Sequence, residues 1–389
     1  MAWSFSSWWG CTAESKWLDH WPYFSSDWEG FLMFIKRALI VGVTGIVGSN
    51  LARQLLSEGG WEVHGISRKP PKGLAQLRHI AVDVLDAEAT RNALAETPIT
   101  HVFFCTWTRM SSEVENCRVN GAMVRNVLQA VCGAKHAAVQ HVALVTGTKN
   151  YLGPFEMYAR NKPETPFRED QPRLPIDNFY YVQEDVVFEL AERHGYGWSV
   201  HRPHTIVGYA VGNAMNIGVT LAVYASVCKA TGRPFIFPGS PVQYAGLSDV
   251  TDARLLARHI AWAAVTPEAR NEAFNVANGD VFRWQRLWGA IGGYFGIDAA
   301  PYPGTPVPLQ QQMADMEPLW ELLVQTQRLQ PNRLGELASA WHTDLDLGRP
   351  MECVNDMNKS RNFGFLGFQD TQRSFLDLFD QLRHERIIP

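Results

Sequence analysis

Two groups of residues could do chemistry, the first by its spacing and the second by residue type alone. The first is Gly42-Val-Thr44-Gly45-Ile46-Val47-Gly48, which overlaps the end of the apolar run Ala38 to Val43. A phosphate needs backbone N–H groups aimed at it from a helix start, and glycine lets a pyrophosphate approach the chain closely. The spacing is Gly-x-x-Gly-x-x-Gly, a variant of the stricter dinucleotide fingerprint, but it falls between a buried strand and an amphipathic helix, where such a motif is meaningful. The second group combines Lys149, in Thr146-Gly-Thr-Lys149, with the pair Tyr180-Tyr181 in Asn178-Phe-Tyr-Tyr-Val-Gln-Glu-Asp185. A phenol beside an ammonium can donate a proton or a hydrogen bond to a substrate oxygen.

A dinucleotide would also meet the ends of the following strands. Where many such sites place an acid against the ribose hydroxyls, this chain has Ser67-Arg68-Lys69. Two cations there suit a 2′-phosphate, so NADPH is the expected cofactor; a solvated basic turn is the plain alternative. Asp83, expected to end the third strand, would face the adenine with Val84. Thr106 and Trp107, after the fourth strand, would border the cofactor, as would Thr146, Pro203 and Ile206.

The elements that must position these residues alternate along the chain. Strands are expected at 38–43, 62–67, 79–84, 101–106, 141–146 and 197–201. Helices are expected at 46–58, where Val47, Leu51 and Leu55 share a face, and across Val119, Met123, Val127 and Val131. A further helix is expected at 180–194, with others at 216–231, 251–264, 283–295 and 317–328. Strand-helix alternation predicts a Rossmann-type, doubly wound parallel α/β sheet with a smaller, mostly helical C-terminal substrate lobe. The expected divisions are a Trp-rich arm over 1–32, a dinucleotide-binding domain over 33–203, and a lobe over 204–389 with segments returning to the core.

Composition limits the partners. The 389 residues carry 35 Lys and Arg against 39 Asp and Glu, a formal charge of −4, so no broad basic field invites nucleic acid. Six scattered Cys without paired spacing indicate free thiols in a reducing, cytoplasmic setting and no metal site. No apolar run approaches the roughly 20 residues of a membrane span. Residues 1 to 30 hold six of the 14 Trp without a signal-peptide pattern. A peripheral arm packing its Trp on the body, or translation from Met33, are the two main readings, with a membrane-surface anchor third.

The glycine turn and strand order resemble the extended short-chain dehydrogenase/reductase superfamily, with a departure: no Tyr is followed by Lys at i+4, Tyr180 having Glu184 and Tyr181 having Asp185. The displaced Lys149, Gly153-Pro-Phe-Glu156 and Asn178-Phe-Tyr-Tyr instead resemble the progesterone 5β-reductase/iridoid synthase family of NADPH-dependent enone reductases. Trp198-Ser-Val-His-Arg-Pro203, Asn271 to Asp280 and Met357 to Phe368 extend that resemblance over about 36–389. It implies that Tyr180 is catalytic, Lys149 its partner, and Tyr181 a core residue. The implied reaction is 1,4-hydride addition to an enone or enal, in which the phenol stabilises an enolate and the ammonium lowers the phenol pKa and holds the nicotinamide ribose. A superfamily-like homodimer is expected. The pocket should be apolar, with Trp107, Phe155, Met215 and Trp341 as candidates. His204-Thr205 departs from the family's common Gly-Asn beside that pocket, while His201 reads as a core histidine. Ser248-Asp249-Val-Thr-Asp252 reads as a helix cap with its acids on the first turn. Alternatives are a nucleotide-sugar epimerase or dehydratase, a carbonyl reductase, or a non-catalytic NADPH sensor.

Overall fold

In the computed structural model the described residues are 35–389, apart from 159, 161 and 214; they belong to one compact unit. The expectations for 1–32 and Met33 lie outside them. Strands β1 (Lys36–Val41), β2 (Trp61–Ile66), β3 (Arg78–Ile80), β4 (His101–Phe104), β5 (His141–Val145) and β6 (Gly197–Pro203) are parallel. They join β9 (Glu272–Val276) in the order β3-β2-β1-β4-β5-β6-β9. Strands β7 (Ile206–Val207) and β8 (Thr251–Asp252) form a separate short parallel pair.

The continuous apolar runs follow from burial on both faces. Leu39, Val41, Val102, Phe104, Val142 and Leu144 pack on one side against α3 (Glu113–Cys132) and α5 (Phe179–His194). Their neighbours Ala38, Ile40, Phe103 and Ala143 point the other way, against α1 (Ile46–Glu58) and α8 (Ala253–Val265). The chain reverses direction of winding between β1 and β4, and a ligand crevice is expected at the carboxyl ends of strands flanking such a point.

Most elements match the periodicity. The third strand is shorter than expected: it ends at Ile80, and Asp83 lies in the turn before α2 (Ala87–Leu94), where its carboxylate accepts the Leu85 N–H at 3.0 Å. Strand β9 is not signalled by the sequence, because its partner β6 is about 70 residues earlier and its five residues show no alternation.

The short helix α4 (Lys149–Leu152) after β5 and, beyond β6, the long α6 (Ile217–Thr231), the short α7 (Pro241–Ala245) and α9 (Trp284–Phe295) complete the scaffold. Helix α6 is buried almost throughout and anchors a second core with Trp288, Trp320, Phe235 and Phe375. Trp288 stacks on Phe235 with ring centres 4.2 Å apart. This core supports the helix Ala340–Leu347, which closes the far side of the crevice.

Candidate active site

The glycine turn has the backbone its motif implies. Gly42 has φ +86°, a region in which a side chain is strained, and a Cβ there would collide with Thr106. At Gly48 a Cβ would stand 2.4 Å from the Gly42 carbonyl oxygen, so glycine lets α1 approach β1 closely. Gly45 caps α1 without a side-chain hydrogen bond, and the first turn carries no acid. Its first N–H groups therefore lack a capping side chain, as an anion would require. Ile46 and Val47 pack inward while Thr44 is exposed beside them. This cradle fits a pyrophosphate.

At the end of β2, the Ser67 hydroxyl donates to the Lys69 carbonyl at 2.7 Å and lies 3.0 Å from His79 Nε2, closing the turn. Arg68 and Lys69 are exposed and make no ion pair with a described residue. Asp83 also faces solvent, while Val84 is buried.

The crevice has a cavity volume of about 170 Å³ and is lined by Trp107, Thr146, Lys149, Phe155, Tyr180, Pro203, Ile206 and Met215, among others. Thr106 precedes it on the same loop and packs near Gly42. Trp341 does not line the cavity. It packs edge-on against Phe155 at 6.1 Å, and its neighbour His342 occupies the lining position. Consecutive helical residues point about 100° apart, so His342 carries the lining face and Trp341 does not.

Tyr180 and Tyr181 face opposite environments, as neighbours on a helix should. The Tyr180 hydroxyl reaches the crevice over Gly147, where a Cβ would lie 3.4 Å away, and has no hydrogen bond to a described residue. Tyr181 instead donates to the Asn150 carbonyl at 2.6 Å and accepts the Leu174 N–H at 3.0 Å. Asn178 caps α5 by accepting the Tyr180 N–H at 3.1 Å, and its amide donates to the Lys149 carbonyl at 2.8 Å. The Asn-Phe-Tyr-Tyr motif thus ties Lys149 to Tyr180. Glu184, where the superfamily would carry Lys, is buried and pairs with Arg202 at 3.2 Å and Arg173 at 2.8 Å. That helix position points into the body, away from the crevice.

The Lys149 ammonium sits among aromatic rings, 4.5 Å from the centre of Phe179, 4.7 Å from Phe155, 5.9 Å from Tyr180 and 6.0 Å from Trp107. Burial pushes its pKa below the ordinary lysine value, and the nearby Glu113 and Glu156 carboxylates oppose that. Burial drives the Tyr180 phenol well above its ordinary value, reinforced by Tyr158 and Glu113. Lys149 is not among the influences on the Tyr180 phenol in this structure.

The expectation of an apolar pocket also needs correction. One wall is apolar, but the other presents His204, His342, Asp346 and Arg349. Arg349 pairs with Asp346, and its Nη1 lies 2.7 Å from His204 Nε2. Arginine only donates, so Nε2 accepts and the ring proton sits on Nδ1, 2.7 Å from Asp249 Oδ1. Sequence reasoning marked His204 as a departure but had no signal for Asp346 or Arg349, which lie more than a hundred residues away. Asp249 belongs to this network and to Asn355, so only Asp252 caps α8. It does so from the cap position, not from the first turn. His201 is held by Ser199 and His259 in the core, as expected. No group that could hold a metal occurs among the described residues, and no described helix is long and apolar enough to cross a membrane.

A doubly wound parallel sheet, an uncapped glycine turn and a crevice at the carboxyl edge of the sheet define a Rossmann-type α/β protein. Solved structures agree on the fold: a putative epimerase from Burkholderia cenocepacia has a TM-score of 0.63 at 19% identity, covering 90% of this chain and 98% of its own. The UDP-glucose 4-epimerase of Thermus thermophilus, in complex with NAD, gives 0.60 at 18%, covering 89% and 99%. Within that class the chain belongs to the family of PRISE-like Rossmann-fold domains, whose model matches residues 72–389. Relatives include the 3-oxo-Δ4,5-steroid 5β-reductase of Arabidopsis thaliana, 44% identical over 92% of this chain and 94% of that protein. The (S)-8-oxocitronellyl enol synthase of Nepeta racemosa is 43% identical over 90% and 93%.

Proposed function

We propose that the protein is an NADPH-dependent reductase of the activated C=C bond of enones or enals. The observation that carries this reading is the division of labour in the tyrosine pair: Tyr180 offers a free hydroxyl to the crevice beside Lys149, while Tyr181 is spent on the backbone. The names of the relatives, a steroid 5β-reductase and an oxocitronellyl enol synthase, support the same chemistry.

Gly42, Gly45 and Gly48 with the start of α1 would hold the pyrophosphate. Arg68 and Lys69 would take the 2′-phosphate, and Thr146, Pro203 and Ile206 would border the nicotinamide. When bound, the cofactor supplies hydride to the β carbon of the enone. Negative charge then develops on the carbonyl oxygen, and Tyr180, kept protonated by burial, donates a hydrogen bond to it. Lys149 supplies positive charge close to that oxygen and to the ribose. Trp107, Phe155 and Met215 exclude water from the reacting face. The enolate takes its proton at the α carbon from solvent, so no second strong acid is needed.

The test is NADPH oxidation with a small cyclic enone and with its saturated ketone, together with NMR of the products from a UDP-sugar, whose epimerisation or dehydration consumes no NADPH. Enone turnover alone is expected. Turnover of the saturated ketone or sugar without the enone would replace this reading by a carbonyl reductase or epimerase.

A further inference from the structure

We propose that Glu113 is a positioning residue of this site, its carboxylate holding Lys149 and the first turn of α5, and with it Tyr180, in one register. The proposal rests on the reductase reading. Glu113 opens α3, where an acid ordinarily favours its own helix dipole. Here it reaches out of α3: Oε1 accepts the Phe179 N–H at 2.9 Å, and Oε2 lies 3.8 Å from Lys149 Nζ. Asn116 donates to Oε2 at 2.8 Å and fixes the carboxylate from behind. The cap of α3 is left to Ser112.

The Phe179 N–H is one of the first-turn donors that α5 cannot satisfy itself. Glu113 satisfies it one residue from Tyr180, while Asn178 binds the Tyr180 N–H and the Lys149 carbonyl. The two side chains therefore brace the same catalytic pair from two directions. Glu113 is also the carboxylate nearest the buried ammonium among the described salt bridges, with side-chain exposures of 14% and 6%.

The charge has its own consequence. Lys149 faces Glu113 and Cys117 from α3, Glu156 and Arg109 from the adjoining loops, and the Tyr180 ring from α5. Burial and Arg109 favour the neutral amine; Glu113 is the largest influence favouring the ammonium. Removing its charge shifts the balance toward the neutral amine, so the alkaline loss of activity begins at lower pH.

Glu113→Gln keeps the size and an acceptor for Phe179 but removes the charge; Glu113→Asp keeps the charge but withdraws it. Three readouts are compared with wild type: the melting temperature, the pH profile of kcat/KM for a cyclic enone, and competitive acetylation of Lys149 in the apoprotein, normalised to exposed Lys72 across alkaline pH. For Glu113→Gln the expectation is about a tenfold loss in kcat with little change in enone KM. Both the alkaline limb and the Lys149 acetylation midpoint move to lower pH, and Glu113→Asp lies between. Should the Gln variant fail to fold, the Asp variant must still show the shift. Unchanged limb and midpoint in the folded variants overturn the proposal, whatever the melting temperature does. Acetylation needs no turnover, so it tests Glu113 even if wild type does not reduce the enone, a result that would instead remove the reductase reading.

Discussion

The tyrosine pair yields a prediction in which stability and activity separate. Tyr181→Phe removes a hydroxyl that donates to the buried Asn150 carbonyl at 2.6 Å and accepts the Leu174 N–H at 3.0 Å. Both partners lose their bond, and Asn150 is only 1% exposed. A cost of about 1 to 3 kcal/mol is expected, because an orphaned buried group loses more than the net value of its bond. Tyr180→Phe strands no described protein partner, so its stability should stay within about 0.5 kcal/mol of wild type. Activity should run the other way. Losing the donor to the developing enolate should lower kcat by about 10²- to 10³-fold. Tyr181→Phe should retain most of its kcat. Urea unfolding with unchanged slope and NADPH oxidation with a cyclic enone measure the two quantities. A dead Tyr181→Phe beside an active Tyr180→Phe would refute the assignment; equal destabilisation by both would refute the geometry behind it.

Other perturbations test other parts of the account. Arg68→Ala should raise KM for NADPH far more than for NADH, and equal effects would mean that the basic turn does not read a phosphate. Gly48→Ala places its Cβ 2.4 Å from a backbone oxygen, so it should cost about 2 kcal/mol or more and weaken cofactor binding measured by fluorescence titration. Arg349→Met leaves Asp346 buried without its partner and should cost about 3 to 5 kcal/mol in chemical denaturation, with much of the loss recovered on adding Asp346→Asn. Burial pushes the Asp346 pKa up, but the charges around it, the Arg349 guanidinium foremost, outweigh burial and hold it below the ordinary carboxyl value. Its contribution is therefore present above an unfolded pKa of about 3.9 and is lost as pH falls through the folded value. Acid titration of the melting temperature should show that loss in wild type and a smaller or absent loss in Arg349→Met, whose Asp346 pKa rises toward or above its unfolded value.

The legible parts of this molecule are those set by local pattern. Val47, Leu51 and Leu55 marked the face of α1, whose observed bounds equal those expected, and the apolar runs marked strands that are covered on both sides. The glycines announced a cradle because a Cβ at Gly42 or Gly48 has no room. What escaped is assembled over long distances. Strand β9 is recognisable only through its pairing with β6, and the polar wall joins His204 to Asp346 and Arg349 from a remote helix end. Glu113 carries no signal in the sequence, because nothing in its neighbourhood along the chain reveals that Lys149 of α4 and the first turn of α5 converge on it. Choosing Tyr180 over Tyr181 rested on resemblance; the backbone partners of Tyr181 supply an independent physical reason.

The most direct measurement follows the hydride itself. NADPH deuterated at the transferable position of its nicotinamide is incubated with the protein and an enone, and the product is examined by NMR. The account predicts a saturated ketone with deuterium on the former β carbon and the carbonyl intact. An allylic alcohol carrying deuterium on the former carbonyl carbon would contradict it.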